Sequence, residues 1–151
     1  MTLDHGLGVI LYNRGQAMKK LTIGSVAKEA HVNIDTVRYY ERQALIPRAE
    51  RKESGYRIFT EDIIARIKFI KRAQELGFTL REIKELLNLR VSKNKTCHDV
   101  KQRAEEKIAD IENKVNELRK MQNALTILAD QCHGNGPTST CPILDALEKN
   151  I

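Results

Sequence analysis

The chain has 151 residues, enough for one compact domain or two small ones, and its 41% hydrophobic and 30% charged residues are ordinary for a globular protein. Trp is absent and aromatics make up only 5%, which argues against a sheet-rich, aromatic core and for helices packed through Leu, Ile, Val and Ala. The net charge of +6 is unevenly placed: residues 1–90 hold seventeen Lys and Arg against eleven Asp and Glu, whereas residues 91–151 hold nine of each. A basic N-terminal half joined to a neutral C-terminal half points to a polyanion-binding module and a module with another task.

Residues 1–19 have only the short apolar stretch Leu7–Tyr12, with no basic region ahead of it, so they read as a disordered leader and not as a signal peptide. No apolar run approaches the roughly 20 residues of a membrane span. The expected location is the cytoplasm, with no membrane partner. From Leu21 to Ala30, Ile23, Val26, Ala27 and Ala30 recur at helical spacing. His31, Val32 and Asn33 interrupt this pattern, and a second helical stretch runs from Ile34 to Ala44. Two short helices split by a three-residue turn fit a helix-turn-helix. The second helix carries Arg38, Tyr39, Tyr40 and Arg42, and guanidinium and phenol groups suit phosphates and base edges.

Ser54-Gly55 is a turn signal between two short extended runs rich in Arg and Lys. A basic hairpin beside a helix-turn-helix makes a winged DNA-binding unit spanning 20–60, with Tyr56 and Arg57 placed to reach the DNA backbone. Thr60, Glu61 and Asp62 open a third helix that ends at Gly77. Thr79 with Glu82 forms a capping box for a fourth. These connector helices and a linker fill 61–95.

Thr96 caps a final helix over 96–131. Its apolar positions Ala104, Ile108, Ile111, Val115, Leu118, Leu125 and Ala129 step by 4, 3, 4, 3, 7 and 4, a heptad seam. The chain has no comparable helix to pair with it, so the expected partner is the same helix of a second copy. The fold class is therefore mostly α: a winged helix-turn-helix plus a long dimerisation helix in an antiparallel coiled coil. Residues 132–151 form a Gly- and Pro-containing loop and a short amphipathic helix.

The three cysteines, Cys97, Cys132 and Cys141, are odd in number, which argues against a disulfide scaffold. Cys97 and Cys132 lie 35 residues apart at opposite ends of the long helix, roughly 50 Å at the helical rise. They cannot share an ion within one chain, but in an antiparallel dimer Cys97 meets the partner's loop. Cys97 stands at a helix N-terminus, where the dipole favours an anion. Three thiolates suit zinc, cadmium, lead, mercury or monovalent copper, and His133 is a possible nitrogen donor. No nucleophile–base pair, phosphate loop or catalytic metal spacing marks an enzyme. The residues leave three readings open: a metal-responsive regulator, a thiol redox regulator and a metal-buffering protein.

Leu21-Thr22-Ile23-Gly24, Asp35-Thr36-Val37-Arg38-Tyr39-Tyr40-Glu41, Leu45-Ile46-Pro47, Ser54-Gly55-Tyr56-Arg57 and Leu76-Gly77-Phe78-Thr79-Leu80-Arg81-Glu82-Ile83 resemble the MerR family of transcription activators. The tail from Cys132 through Cys141 to Leu144 resembles its metal-sensing branch. The resemblance implies a homodimer on double-stranded promoter DNA whose two polymerase elements are spaced too widely. Metal binding then untwists and bends the spacer so that RNA polymerase engages both elements, a readout by DNA deformation, and resistance or efflux genes are switched on. By this resemblance Arg38, Tyr39, Tyr56 and Arg57 contact DNA, and Cys97, Cys132 and Cys141 are the metal ligands. Copper and gold sensors usually carry Ser where Cys97 stands, so a third thiolate favours a divalent ion. The cysteine spacings resemble those of mercury sensors, whereas Leu76 to Arg90 and the tail Leu144 to Glu148 resemble zinc sensors, which puts zinc, cadmium or lead first and mercury second. Zinc sensors commonly have a second Cys where this chain has His133.

Overall fold

A computed structural model describes residues 19–51, 53, 55 and 57–149. The chain divides into two compact units, one ending at Lys93 and the other beginning at Asn94.

In the first unit, helix α1 (Ile23–Glu29) and helix α2 (Ile34–Arg42) form the helix-turn-helix. Each begins at a polar cap whose side-chain oxygen satisfies a free backbone N–H. Thr22 accepts from the Ser25 N–H at 3.2 Å, and Asn33 from the Thr36 N–H at 2.7 Å. The cap at Thr22 corrects the start of α1. Leu21 lies outside the helix and exchanges two 2.8 Å backbone hydrogen bonds with Phe59, in an antiparallel bridge that ties the start of the unit to the far end of the hairpin. Helix α2 likewise stops at Arg42, short of Ala44, because Ala44 adopts a left-handed φ of 54° that no helix accommodates.

The hairpin pairs β1 (Glu50–Arg51) with β2 (Arg57–Ile58), antiparallel, with Glu50 opposite Ile58. Among the described residues the two expected extended runs pair over these two residues each. Helix α3 (Asp62–Glu75) follows, ended by Gly77, whose φ of 91° suits glycine. Helix α4 (Leu80–Val91) has the full capping box: the Glu82 N–H donates to the Thr79 hydroxyl at 3.3 Å, and the Thr79 N–H donates to the Glu82 carboxylate at 2.7 Å.

Val26, Val37, Leu45, Phe59, Ile67, Ile70 and Ile83 are fully buried and form one core. Two polar contacts fasten α2 and the segment after it to α3. The Tyr40 hydroxyl donates to Gln74 at 2.6 Å, and Arg66 Nε donates to the Leu45 carbonyl at 2.7 Å.

The second unit is built on helix α5 (Cys97–Asp130), 34 residues long. At its start the Asp99 carboxylate accepts from both the backbone N–H and the hydroxyl of Thr96, at 2.7 and 3.2 Å. A single 3-10 turn, Thr138–Thr140, leads into helix α6 (Pro142–Glu148), which begins with proline at its first position. Within this chain the heptad residues Ile108, Ile111, Val115, Leu118 and Leu125 are all exposed, Leu118 by 63%.

Candidate DNA-binding surface and thiolate site

Helix α2 is divided by its own periodicity. Val37 and Tyr40 face the core, while Arg38, Tyr39 and Arg42 stand on the exposed side. Arg38 lies 3.6 Å from the exposed Asp35, a loose surface pair that constrains the guanidinium little. The Arg42 guanidinium lies 6.0 Å from the centre of the Tyr39 ring, so these two side chains share one patch.

Arg57 is held differently. Its guanidinium is 2.9 Å from the Glu41 carboxylate, whose side chain is only 10% exposed. The other Glu41 oxygen accepts from the Ala49 N–H at 3.5 Å. One acid at the end of α2 thereby grips both arms of the hairpin. Tyr56, named with Arg57 as a DNA contact, lies outside the described residues.

Glu41 itself was not foreseen as a functional residue. Its signal is faint: it stands four residues after the buried Val37, at the margin of the core face, where a carboxylate needs a partner. Arg48 was missed as well. It is exposed beside Arg42, and together with Glu41, Ala49 and Arg57 these residues line a cleft of about 350 Å³.

In the second unit Cys132 and Cys141 come together across the loop, close enough for their side chains to hydrogen-bond. Cys141 caps α6. Backbone N–H groups of Leu144 and then Ile143 point at its sulfur and hold its thiol below the ordinary range, with Cys132 adding to the effect and Asp145 opposing it. Cys97 is exposed at the first position of α5, and His133 is exposed next to Cys132 in sequence. Among the described residues no three His, Cys, Asp or Glu side chains gather into a metal site within one chain. The helix between Cys97 and Cys132 accounts for this, since 34 residues span roughly 50 Å. Two adjacent soft donors, one with its thiol pKa lowered, fit a thiophilic ion and leave room for a third ligand from elsewhere.

A helix-turn-helix with a two-stranded wing, an arginine- and tyrosine-bearing second helix and a separate unit carrying every cysteine places the protein among the winged helix-turn-helix transcription regulators. Residues 21–89 match the MerR HTH family regulatory protein family, and residues 64–128 match the family described as MerR, DNA binding. The chain belongs to the MerR family.

It is 42% identical over 129 residues to the HTH-type transcriptional regulator ZntR of Escherichia coli, covering 84% of this chain and 92% of that one. It is also 42% identical over 130 residues to the mercuric resistance operon regulatory protein of Bacillus cereus, covering 86% and 98%. Among solved structures it is similar to the transcription regulator PbrR691 from Ralstonia metallidurans in complex with lead(II), with a TM-score of 0.76 and 34% identity over 84% of this chain and 98% of that one. Among the described residues no helix is long and apolar enough to cross a membrane.

Proposed function

We propose that this chain is a metal-responsive transcription activator that binds promoter DNA as a homodimer. The reading rests above all on the placement of the thiols: Cys132 and Cys141 side by side at one end of a 34-residue helix, with Cys97 at the other. The seam of exposed apolar residues from Ile108 to Leu125 gives an antiparallel partner helix its contact surface. That pairing sets Cys97 of one protomer beside the loop of the other and makes two equivalent three-thiolate sites.

The residues that hold the ion are Cys97, Cys132 and Cys141, with His133 as a possible fourth. A divalent ion supplies positive charge that offsets the thiolates' mutual repulsion. Cys141 contributes a sulfur whose pKa the amides of α6 lower, and the Gly134–Gly136 loop lets Cys132 turn toward it. Three sulfurs suit zinc, cadmium, lead and mercury alike; zinc, cadmium or lead is favoured over mercury because residues 76–90 and 144–148 resemble those of zinc sensors. The relatives named for mercuric resistance and for lead binding support the same class of ion.

On the DNA side, Arg38, Tyr39 and Arg42 of α2 meet the major groove and its phosphates, and the wing with Tyr56 meets the flanking backbone. Activation acts through the shape of the spacer between the two polymerase elements.

In vitro transcription from the chain's own upstream promoter tests this. Zinc, cadmium, lead, mercury and monovalent copper are titrated at buffered free concentrations for the wild type and Cys97→Ser, with a peroxide arm and no metal. Activation by a divalent ion that disappears in Cys97→Ser is the expected result. Copper-only activation that survives the substitution, or activation by peroxide alone, overturns the cross-dimer thiolate site.

A further inference from the structure

The cleft between the end of α2 and the wing is lined by three arginines and one acid, and their contacts divide the arginines into two kinds. Arg57 is engaged by Glu41 at 2.9 Å, and Glu41 is shielded from solvent and also receives the Ala49 N–H. Neutralised, and shielded on the Glu41 side, this pair fixes geometry. Arg42 and Arg48 are both exposed, and among the described residues neither forms an ion pair. They border the 350 Å³ cleft on one side and a second, of about 330 Å³, on the other, where Arg66 is fastened to the Leu45 carbonyl. With Glu41 and Arg57 cancelling, the cleft carries two uncompensated positive charges beside the exposed face of α2.

We propose that Arg48, with Arg42, seats a DNA backbone phosphate in this cleft, and that Glu41 and Arg57 act as a strut that positions the wing. The inference rests on the DNA-binding reading above and revises one part of it: Arg57 supports the contact surface from behind. A polyanion is the ligand that two neighbouring, solvent-facing guanidinium groups recognise, by charge and by paired N–H donors. The contact is to the DNA backbone, so it carries no base preference. Glu41 matters because it contacts the chain on both sides of the turn. The acid ties the strand before the turn, through Ala49, to the strand after it, through Arg57.

The two roles give opposite signs for one substitution. If Arg57 itself gripped the phosphate, removing the negative charge of Glu41 would free it and tighten DNA binding. As a strut, the same change loosens the wing and weakens binding.

The test uses the full-length protein and a duplex that the wild type selects from a random-sequence pool, with fluorescence anisotropy over a range of salt concentrations. Arg48→Gln is expected to weaken binding about tenfold and to reduce the slope of log affinity against log salt by about 0.9, the value for one phosphate contact. It should do so equally on the selected duplex and on a scrambled one. Glu41→Gln and Arg57→Gln are each expected to weaken binding, and the double substitution to weaken it no more than either alone.

Arg48→Gln with unchanged affinity and slope overturns the phosphate seat, and Glu41→Gln that tightens binding overturns the strut. A wild-type chain that selects no duplex overturns the DNA-binding reading itself, a failure distinct from either. Arg48 is exposed, so its substitution leaves the fold intact, as a circular-dichroism melt of the same preparation checks.

Discussion

Replacing Tyr40 by Phe tests how firmly α2 is fastened to α3. The ring of Tyr40 is buried to 3% exposure, and its hydroxyl donates to Gln74 at 2.6 Å across 34 residues of sequence. The substitution keeps the ring and removes only the hydrogen bond. Gln74 is exposed and can turn to water, so the loss is about 1 kcal/mol, the net value of one such bond. That is a fall of about 4–8 °C in Tm for a domain of this size.

Urea denaturation followed by circular dichroism, at one fixed protein concentration, reads it directly. In a cycle with Gln74→Leu, the double variant should lose less than the sum of the singles by about 1 kcal/mol. A coupling of zero refutes the contact as a fastening.

The same hydroxyl makes a pH prediction. Burial, and then the neighbouring Tyr39, raise its pKa above the ordinary 10.0. The folded state therefore holds this proton more tightly than the unfolded state. Stability from this source is intact below the unfolded value and is lost as pH rises through the folded one. Wild type should weaken more steeply than Tyr40→Phe above pH 10.0; parallel curves refute the argument.

Three further outcomes follow from contacts already described. Thr79→Ala removes the acceptor of the Glu82 N–H and half of the capping box at the head of α4, and should cost about 1 kcal/mol in the same urea assay. Phe59→Ala empties a site with 2% exposure at the bridge to Leu21; a loss of about 3–5 kcal/mol is expected, and a loss below 1 kcal/mol would mean the core closes over the gap. Leu118→Arg places a charge in the middle of the exposed seam of α5, and light scattering after size exclusion should show the mass halved relative to wild type, whereas an unchanged mass would show that the seam is not the dimer contact.

What could be read from the sequence was what depends on spacing along the chain. The Thr79–Glu82 capping box, the end of α3 at Gly77 and the long uninterrupted helix α5 are local patterns with local causes. Element ends were less legible. The sequence pattern opens the first helix at Leu21, yet Leu21 goes to a bridge with Phe59, because Thr22 supplies the cap and the backbone of Leu21 finds its partner 38 residues away.

The same reason hid the functional role of Glu41. Nothing within a few residues of it announces Arg57 or Ala49, which arrive only when the hairpin folds back. Arg57 was conspicuous as a basic residue beside the turn, but its commitment to an acid was invisible. For the thiols, proximity of Cys132 and Cys141 followed from the short loop between them, while the environment that favours the Cys141 thiolate depends on amides of α6 that only the folded tail aims at it.

The boundary between Lys93 and Asn94 separates two kinds of chemical information. Every residue assigned here to DNA precedes it and every cysteine follows it. Which gene is addressed and which ion is heard can therefore change by independent steps. A recombination event in the short stretch between the end of α4 and the start of α5 would hand an existing operator to a new signal in one move, without cutting the core of the first unit.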